Sequence, residues 1–252
     1  AIPCRRIADM DPGMTTKGTA LITGAGRNIG RAIALGLAED GFDIVVNGAT
    51  DRAAADSVAA EVRARGRRAL VAMGDVGSPA ECARIAAAAM AEFGRVEVLV
   101  NNAALRPAKP FLETTVEDLR RVMAVDVEAA IWLSQALIPG MLDRGWGRIV
   151  NFTGMNAIHG YAGRASVSVA KHGLWGLTKS LGKEFGPKGI TVNAISPGPI
   201  AADDDQPGVT THRHGYVAKV PVGRMGTPVE VAAVVRMLVS EGGAYVNGQM
   251  LQ

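Results

Sequence analysis

The sequence predicts an α/β protein, a doubly wound parallel sheet with helices on both faces in three α/β/α layers. Two observations carry this. From Lys17 onward short apolar runs alternate strictly with longer helical patterns, which implies right-handed crossovers between parallel strands. The short runs are also continuously apolar, as strands buried on both faces are.

The elements follow in order. Thr19 to Thr23 is the first strand run, followed by a glycine turn and a helical pattern from Ile29 to Glu39. Ile44-Val45-Val46, an Ala-rich helix near Asp51 to Arg65, and Ala69 to Ala72 come next. Ser78-Pro79 opens another helix, with Ser as N-cap and Pro at the first helical position. Val98 to Val100, Arg148 to Phe152 and Ile190 to Ile195 supply three further strands, and Val246 to Leu251 a last short one. Helices are expected over Val116 to Arg144 with a break near Val125, over Ser166 to Phe185 and over Pro228 to Ser240. With neither repeats nor a low-complexity linker, residues 17–252 read as one domain. Residues 1–16 carry Pro3, Pro12, Gly13 and the Arg5-Arg6 pair without a long apolar run, so they read as a flexible arm and not a secretory signal.

Composition narrows the function. A net charge of +3 with interleaved signs and only 4% aromatic residues argues against nucleic-acid binding. No apolar stretch reads as long and uninterrupted enough to span a bilayer. The two cysteines, Cys4 and Cys82, have no metal-ligand spacing, so no metal is expected, and Cys82 sits in a helical pattern that suggests burial. A cytoplasmic location fits this cysteine usage.

The turn Thr23-Gly24-Ala25-Gly26-Arg27-Asn28-Ile29-Gly30 lies between the first strand and the first helix. A pyrophosphate needs close backbone approach and free N–H groups at a helix start, and this Rossmann-like context supplies both. The turn resembles the Thr-Gly-x-x-x-Gly-x-Gly motif of the short-chain dehydrogenase/reductase family, with Asn28 replacing the middle glycine. Asn tolerates the left-handed backbone that glycine would supply. Asp75-Val76 resembles the family's adenine-holding pair, and Asn101-Asn102-Ala103-Ala104 its Asn-Asn-Ala-Gly segment. Arg148 to Asn151 resembles its fifth strand, Asn193 to Gly198 the segment closing on the nicotinamide, and Gly223-Arg224 with Pro228 to Ala232 the late helix entry. The similarity runs from about Lys17 to Gln252, toward 3-oxoacyl-carrier-protein-reductase-like members with an atypical active site.

The resemblance implies a dinucleotide held by Gly24, Arg27, Asn28, Ile29, Gly30, Asp75, Val76, Asn102, Ala103, Lys171, Pro197, Gly198 and Ile200. The second strand ends Val46-Asn47-Gly48 with no carboxylate at the usual distance to bond a ribose 2′-hydroxyl, and Arg27 is basic. That contrast favours NADP over NAD. The resemblance further implies a carbonyl or secondary-alcohol substrate, a substrate loop at about 199–219, and a homotetramer or dimer.

The family's catalytic set is broken. Its Tyr and Lys stand four residues apart on one helix face, so both reach one site. Lys171 matches the Lys, but Val167 stands at the Tyr, Gly154 at the Ser and Asp126 at the Asn. Tyr161 and Asp126 are the candidate substitutes. Thr153, Ser166, Ser168 and His159 lie near the site as weaker ones. Three readings stay open: a short-chain-type oxidoreductase with rebuilt acid catalysis; a non-redox homologue acting as cofactor-binding sensor, partner subunit or enzyme of different chemistry; or a structural protein that binds no cofactor, with Asn28 marking decay of the site.

Overall fold

A computed structural model describes residues 16–202, 217–218 and 220–252. The arm expected at 1–16, apart from Thr16, and most of the substrate loop expected at 199–219 lie outside the described residues.

The chain runs β1 (Gly18–Ile22), α1 (Asn28–Glu39), β2 (Phe42–Gly48), α2 (Arg52–Ala64), β3 (Ala69–Met73), α3 (Pro79–Phe93) and β4 (Val98–Asn101). It continues through α4 (Val116–Met123), α5 (Ala129–Arg144), β5 (Gly147–Phe152), α6 (Ala165–Phe185), β6 (Ile190–Ile195), α7 (Pro228–Val239) and β7 (Met250–Leu251). The strands form a 7-stranded sheet in the order β3-β2-β1-β4-β5-β6-β7, parallel at every pairing. From β1 the chain winds toward β3, then returns to β4 and winds the other way. The reversal between β1 and β4 opens a crevice beyond the carboxyl ends of the strands.

Successive strand side chains point to opposite faces, and both faces are filled. Ala20, Ile22, Val98 and Val100 join Ile33 and Leu37 of α1, Val58 of α2 and Val235 of α7 in one core. Leu21 and Leu99 join Ile85 of α3 and Leu133 and Leu137 of α5 in the other. Cys82 is buried in that second core, as its helical setting suggests.

Local signals place the helix ends. Ser78 Oγ accepts the Glu81 N–H and Pro79 follows at the first helical position. The break near Val125 is a π-helical stretch, Ala124–Glu128, which joins α4 to α5 and buries Asp126. The last strand is shorter than expected. Asn193 accepts the Gln249 N–H and donates to Val246 O, and Asn247 accepts the Val192 N–H, so side chains take bonds that ladder pairing would use.

One expectation is corrected. The helical run Val116–Arg144 is long and apolar enough, by length and composition, to cross a bilayer, and 56% of its most apolar window is buried. The fold spends that apolar face on the core, through Leu133, Leu137, Ile138 and Met141.

Candidate active site

The turn after β1 is built for close approach. Asn28 adopts φ 48, the left-handed backbone its side chain tolerates, and begins α1. A Cβ on Gly30 would stand 2.2 Å from Gly24 O, so the helix packs on the turn only with glycine there. Gly24, at φ 62, lies against Ala103, where a Cβ would meet Cα at 3.1 Å. Ile29 packs against the core below.

Neighbouring strands brace this turn. Asn102 Nδ2 donates to Thr23 O and Gly24 O at 2.9 and 3.0 Å, and Thr23 Oγ1 accepts the Asn102 and Ala103 N–H groups at 3.0 Å each. Asn47, buried at the end of β2, accepts the Ala25 N–H on its carbonyl at 2.8 Å and donates from Nδ2 to Ala72 O and Gly74 O. Its position suggested only a missing carboxylate. The structure shows a strut tying the turn to β3.

A cleft of about 1070 Å³ opens over these residues. Gly24, Arg27, Asn28, Ile29, Gly30, Asn102 and Ala103 line it from the β1 side, and Lys171, Pro197, Gly198 and Ile200 from the other. Asp75 and Val76 are not among its lining residues. Asp75 accepts the Gly77 N–H at 2.9 Å and pairs with Arg121 at 2.8 Å, while Val76 is buried. The wall past β2 does carry one carboxylate, Asp51, committed to capping α2 through the Ala54 N–H at 2.9 Å.

At the far end Lys171 and Asp126 form a buried ion pair. Lys171 Nζ lies 3.0 Å from Asp126 Oδ2 and donates to Phe152 O at 2.8 Å. Asp126 Oδ1 accepts the Leu105 N–H at 2.7 Å. The Oδ2 contact is ionic, off the line of a good hydrogen bond. Burial pushes the Lys171 ammonium below the usual lysine range; Asp126 opposes that shift and the charge of Arg106 adds to it.

Val167, one turn before Lys171, is 1% exposed and packs with Val122, Val127, Ala170 and Leu174. Gly154 lines the cleft at φ 70 and ψ 173, a backbone region essentially reserved for glycine. Of the candidate substitutes, Tyr161 lines the cleft and is 37% exposed, with no hydrogen bond to its hydroxyl among the described residues. Thr153 lines it too, but its hydroxyl donates to Ile195 O at 3.2 Å. Ser168 donates to Asn156 at 3.4 Å, Ser166 is buried, and His159 is exposed outside the cleft lining.

Two residues that the sequence left unmarked also line this end, Arg106 beyond β4 and Arg164 before α6. Their only sequence signal is proximity, Arg106 four residues past Asn102 and Arg164 three before Val167.

A family model described as Enoyl-(Acyl carrier protein) reductase matches residues 24–252. The chain belongs to the short-chain dehydrogenase/reductase family. Among its relatives in this family, the 3-oxoacyl-(acyl-carrier-protein) reductase of Synechocystis sp. is 36% identical over 235 residues, 93% of this chain and 94% of that protein. The crystal structure of acetoin dehydrogenase from Enterobacter cloacae is similar at TM-score 0.85 and 36% identity, over 95% of this chain and 94% of that one. A short-chain dehydrogenase from Burkholderia cenocepacia, solved in complex with NADP, is similar at TM-score 0.86 and 32% identity, over 94% of this chain and 96% of that one.

Proposed function

We propose that the protein binds NADP(H) in the cleft and acts as an oxidoreductase on a carbonyl or secondary alcohol. The observation that carries the reading is the turn at residues 23–30, where Gly30 permits helix–turn contact and Asn28 keeps the left-handed backbone. The residues fit the group: the α1 N-terminus presents N–H groups to phosphates, Arg27 stands by for a 2′-phosphate, and the cleft volume suits a dinucleotide. The NADP-bound relative supports the choice of cofactor. Bound NADPH supplies the hydride.

The chain's own residues handle the proton. Lys171 spends one donor on Phe152 O and one on its ionic contact with Asp126, leaving a third N–H of the ammonium for the cleft. Tyr161 carries a phenol on the cleft wall and is the candidate to give a proton to a carbonyl oxygen. Asp126 favours the charged form of Lys171 against the effect of burial and fixes its position. Reading residues 17–252 as one unit and the protein as a homo-oligomer belongs to the same proposal.

A second reading has its own support. Val167 packs in an apolar cluster and the Gly154 backbone disfavours any side chain, so the positions of the family's Tyr and Ser offer no proton donor. A cofactor-binding sensor or partner subunit would look like this. Following NADPH oxidation with a ketone panel separates the two. Turnover that falls at least tenfold in Tyr161→Phe supports rebuilt acid catalysis. Binding of NADPH with no turnover on any ketone supports the sensor reading.

A further inference from the structure

Away from the cleft, arginines commonly meet carboxylates, as in Arg31–Glu61, Arg67–Asp43, Arg121–Asp75 and Arg236–Asp40. On the cleft wall the pattern reverses. Arg27, Arg106 and Arg164 have no carboxylate partner within 4.0 Å among the described residues. The two acidic groups near them are already committed, Asp51 to the α2 cap and Asp126 to Lys171.

Arg27 stands on the β1 side, where the dinucleotide phosphates are expected. Arg106 and Arg164 stand across the crevice, beyond β4 and β5, on the side where Lys171 and Tyr161 face the reacting group. They are neighbours: an N–H of the Arg164 guanidinium donates to Arg106 O, which links the residue before α6 to the segment after β4. Arg106 is near enough to act electrostatically on Lys171. Two guanidinium groups there favour an oxyanion over a neutral oxygen, because the oxyanion accepts their planar N–H pairs in stronger, charge-assisted bonds.

Resting on the reading of this cleft as a dinucleotide and carbonyl site, we propose that the substrate carries an oxyanion, a carboxylate or a phosphate set apart from its reacting carbon, bound by Arg106 and Arg164. The two cations then orient the carbonyl toward Lys171 and the nicotinamide end of the cleft. Electrostatic attraction also concentrates the anion in the crevice, so its binding weakens as salt rises.

The test uses the full chain saturated with NADP(H), with calorimetry against a panel of 2-, 3- and 4-oxo carboxylates and ketone phosphates, each beside its methyl ester or dephosphorylated counterpart. The expected result is that at least one anion binds about tenfold or more tighter than its neutral counterpart. Arg106→Gln and Arg164→Gln each then remove most of that preference and leave NADPH affinity unchanged. Neutral compounds binding as tightly, no panel anion binding the loaded protein, or a preference that survives both substitutions overturns the proposal. Failure of NADPH itself to bind is a separate result, which overturns the reading of the cleft.

Discussion

Lys171 Nζ stands 3.0 Å from Asp126 Oδ2, and both side chains are buried. The pair ties α6 to the π-helical stretch 124–128 and, through the Leu105 N–H on Oδ1, to the segment after β4. Two elements of the cleft wall therefore hang on one ionic contact. Removing either partner leaves the other charge buried, which costs about 3–5 kcal/mol, while removing both costs much less than the sum. Urea unfolding of Asp126→Ala, Lys171→Met and the double variant measures this; additive losses would show that the two charges do not interact.

The same pair predicts a pH signature. The folded-state value of Lys171 lies below the ordinary 10.5, so between the two values the unfolded chain binds the extra proton. Stability from this group therefore rises as pH climbs through that window and is lost as pH falls through the folded value. The difference in unfolding free energy between wild type and Lys171→Met, followed on the alkaline side, shows that rise. A difference flat with pH would contradict the depressed value.

Gly154 and Val167 predict an asymmetry in any attempt to rebuild the family's catalytic set. Space is open around a Cβ at Gly154, yet φ 70 with ψ 173 penalises any side chain by about 1–3 kcal/mol. Val167→Tyr must place its ring in the cleft instead of the Val122–Leu174 cluster, and NADPH-dependent ketone reduction then rises about 10²-fold. Gly154→Ser lowers the melting temperature without matching that gain. Gly154→Ser that is as stable as wild type would refute the backbone argument.

At the turn, Gly30→Ala drives a methyl to within 2.2 Å of Gly24 O and abolishes nucleotide binding, whereas the methyl of Gly26→Ala comes no nearer than 3.4 Å to any atom, Ala54 Cβ, and is tolerated. Asn28→Ala loses about 1 kcal/mol because alanine resists the left-handed backbone. Fluorescence titration and thermal melts of the three variants check the ranking.

Cys82 makes a control on burial. Its thiol is pushed up to about 11 by burial, with Asp75 and Glu81 adding to the shift. In a Cys4→Ser background at pH 8 about one molecule in a thousand holds the thiolate, so alkylation is slow until the protein unfolds. Rapid native labelling would contradict the packing of α3.

How far the sequence carried can be judged from particular residues. The central strands were legible because their continuous apolar runs fit burial on both faces, as in β1, β4, β5 and β6. Ser78-Pro79 marked its helix start to the residue, and Asn28 announced its backbone. The cleft's arginines were not legible. An exposed Arg in a loop reads the same whether it faces solvent or a crevice, and only the reversal of winding between β1 and β4 brings residues 27, 106 and 164 to one cleft. Asn47 escaped for a different reason. Its position signals only a missing charge, while its role lies in the Gly24 and Ala25 N–H groups and the Ala72 and Gly74 carbonyls that the fold brings to it. The shortened β7 depended likewise on side-chain bonds from Asn193 and Asn247 that no periodicity signals.

The most direct test of the account is titration of the purified protein with NADPH and separately with NADH, following nicotinamide fluorescence and calorimetric heat, in wild type and Arg27→Ala. The account predicts dissociation constants of about micromolar for NADPH, much weaker NADH binding, and loss of about tenfold in NADPH affinity with NADH unchanged in the variant. Binding of neither nucleotide at about millimolar concentration would contradict it, because the turn at residues 23–30 would then be structure without a ligand.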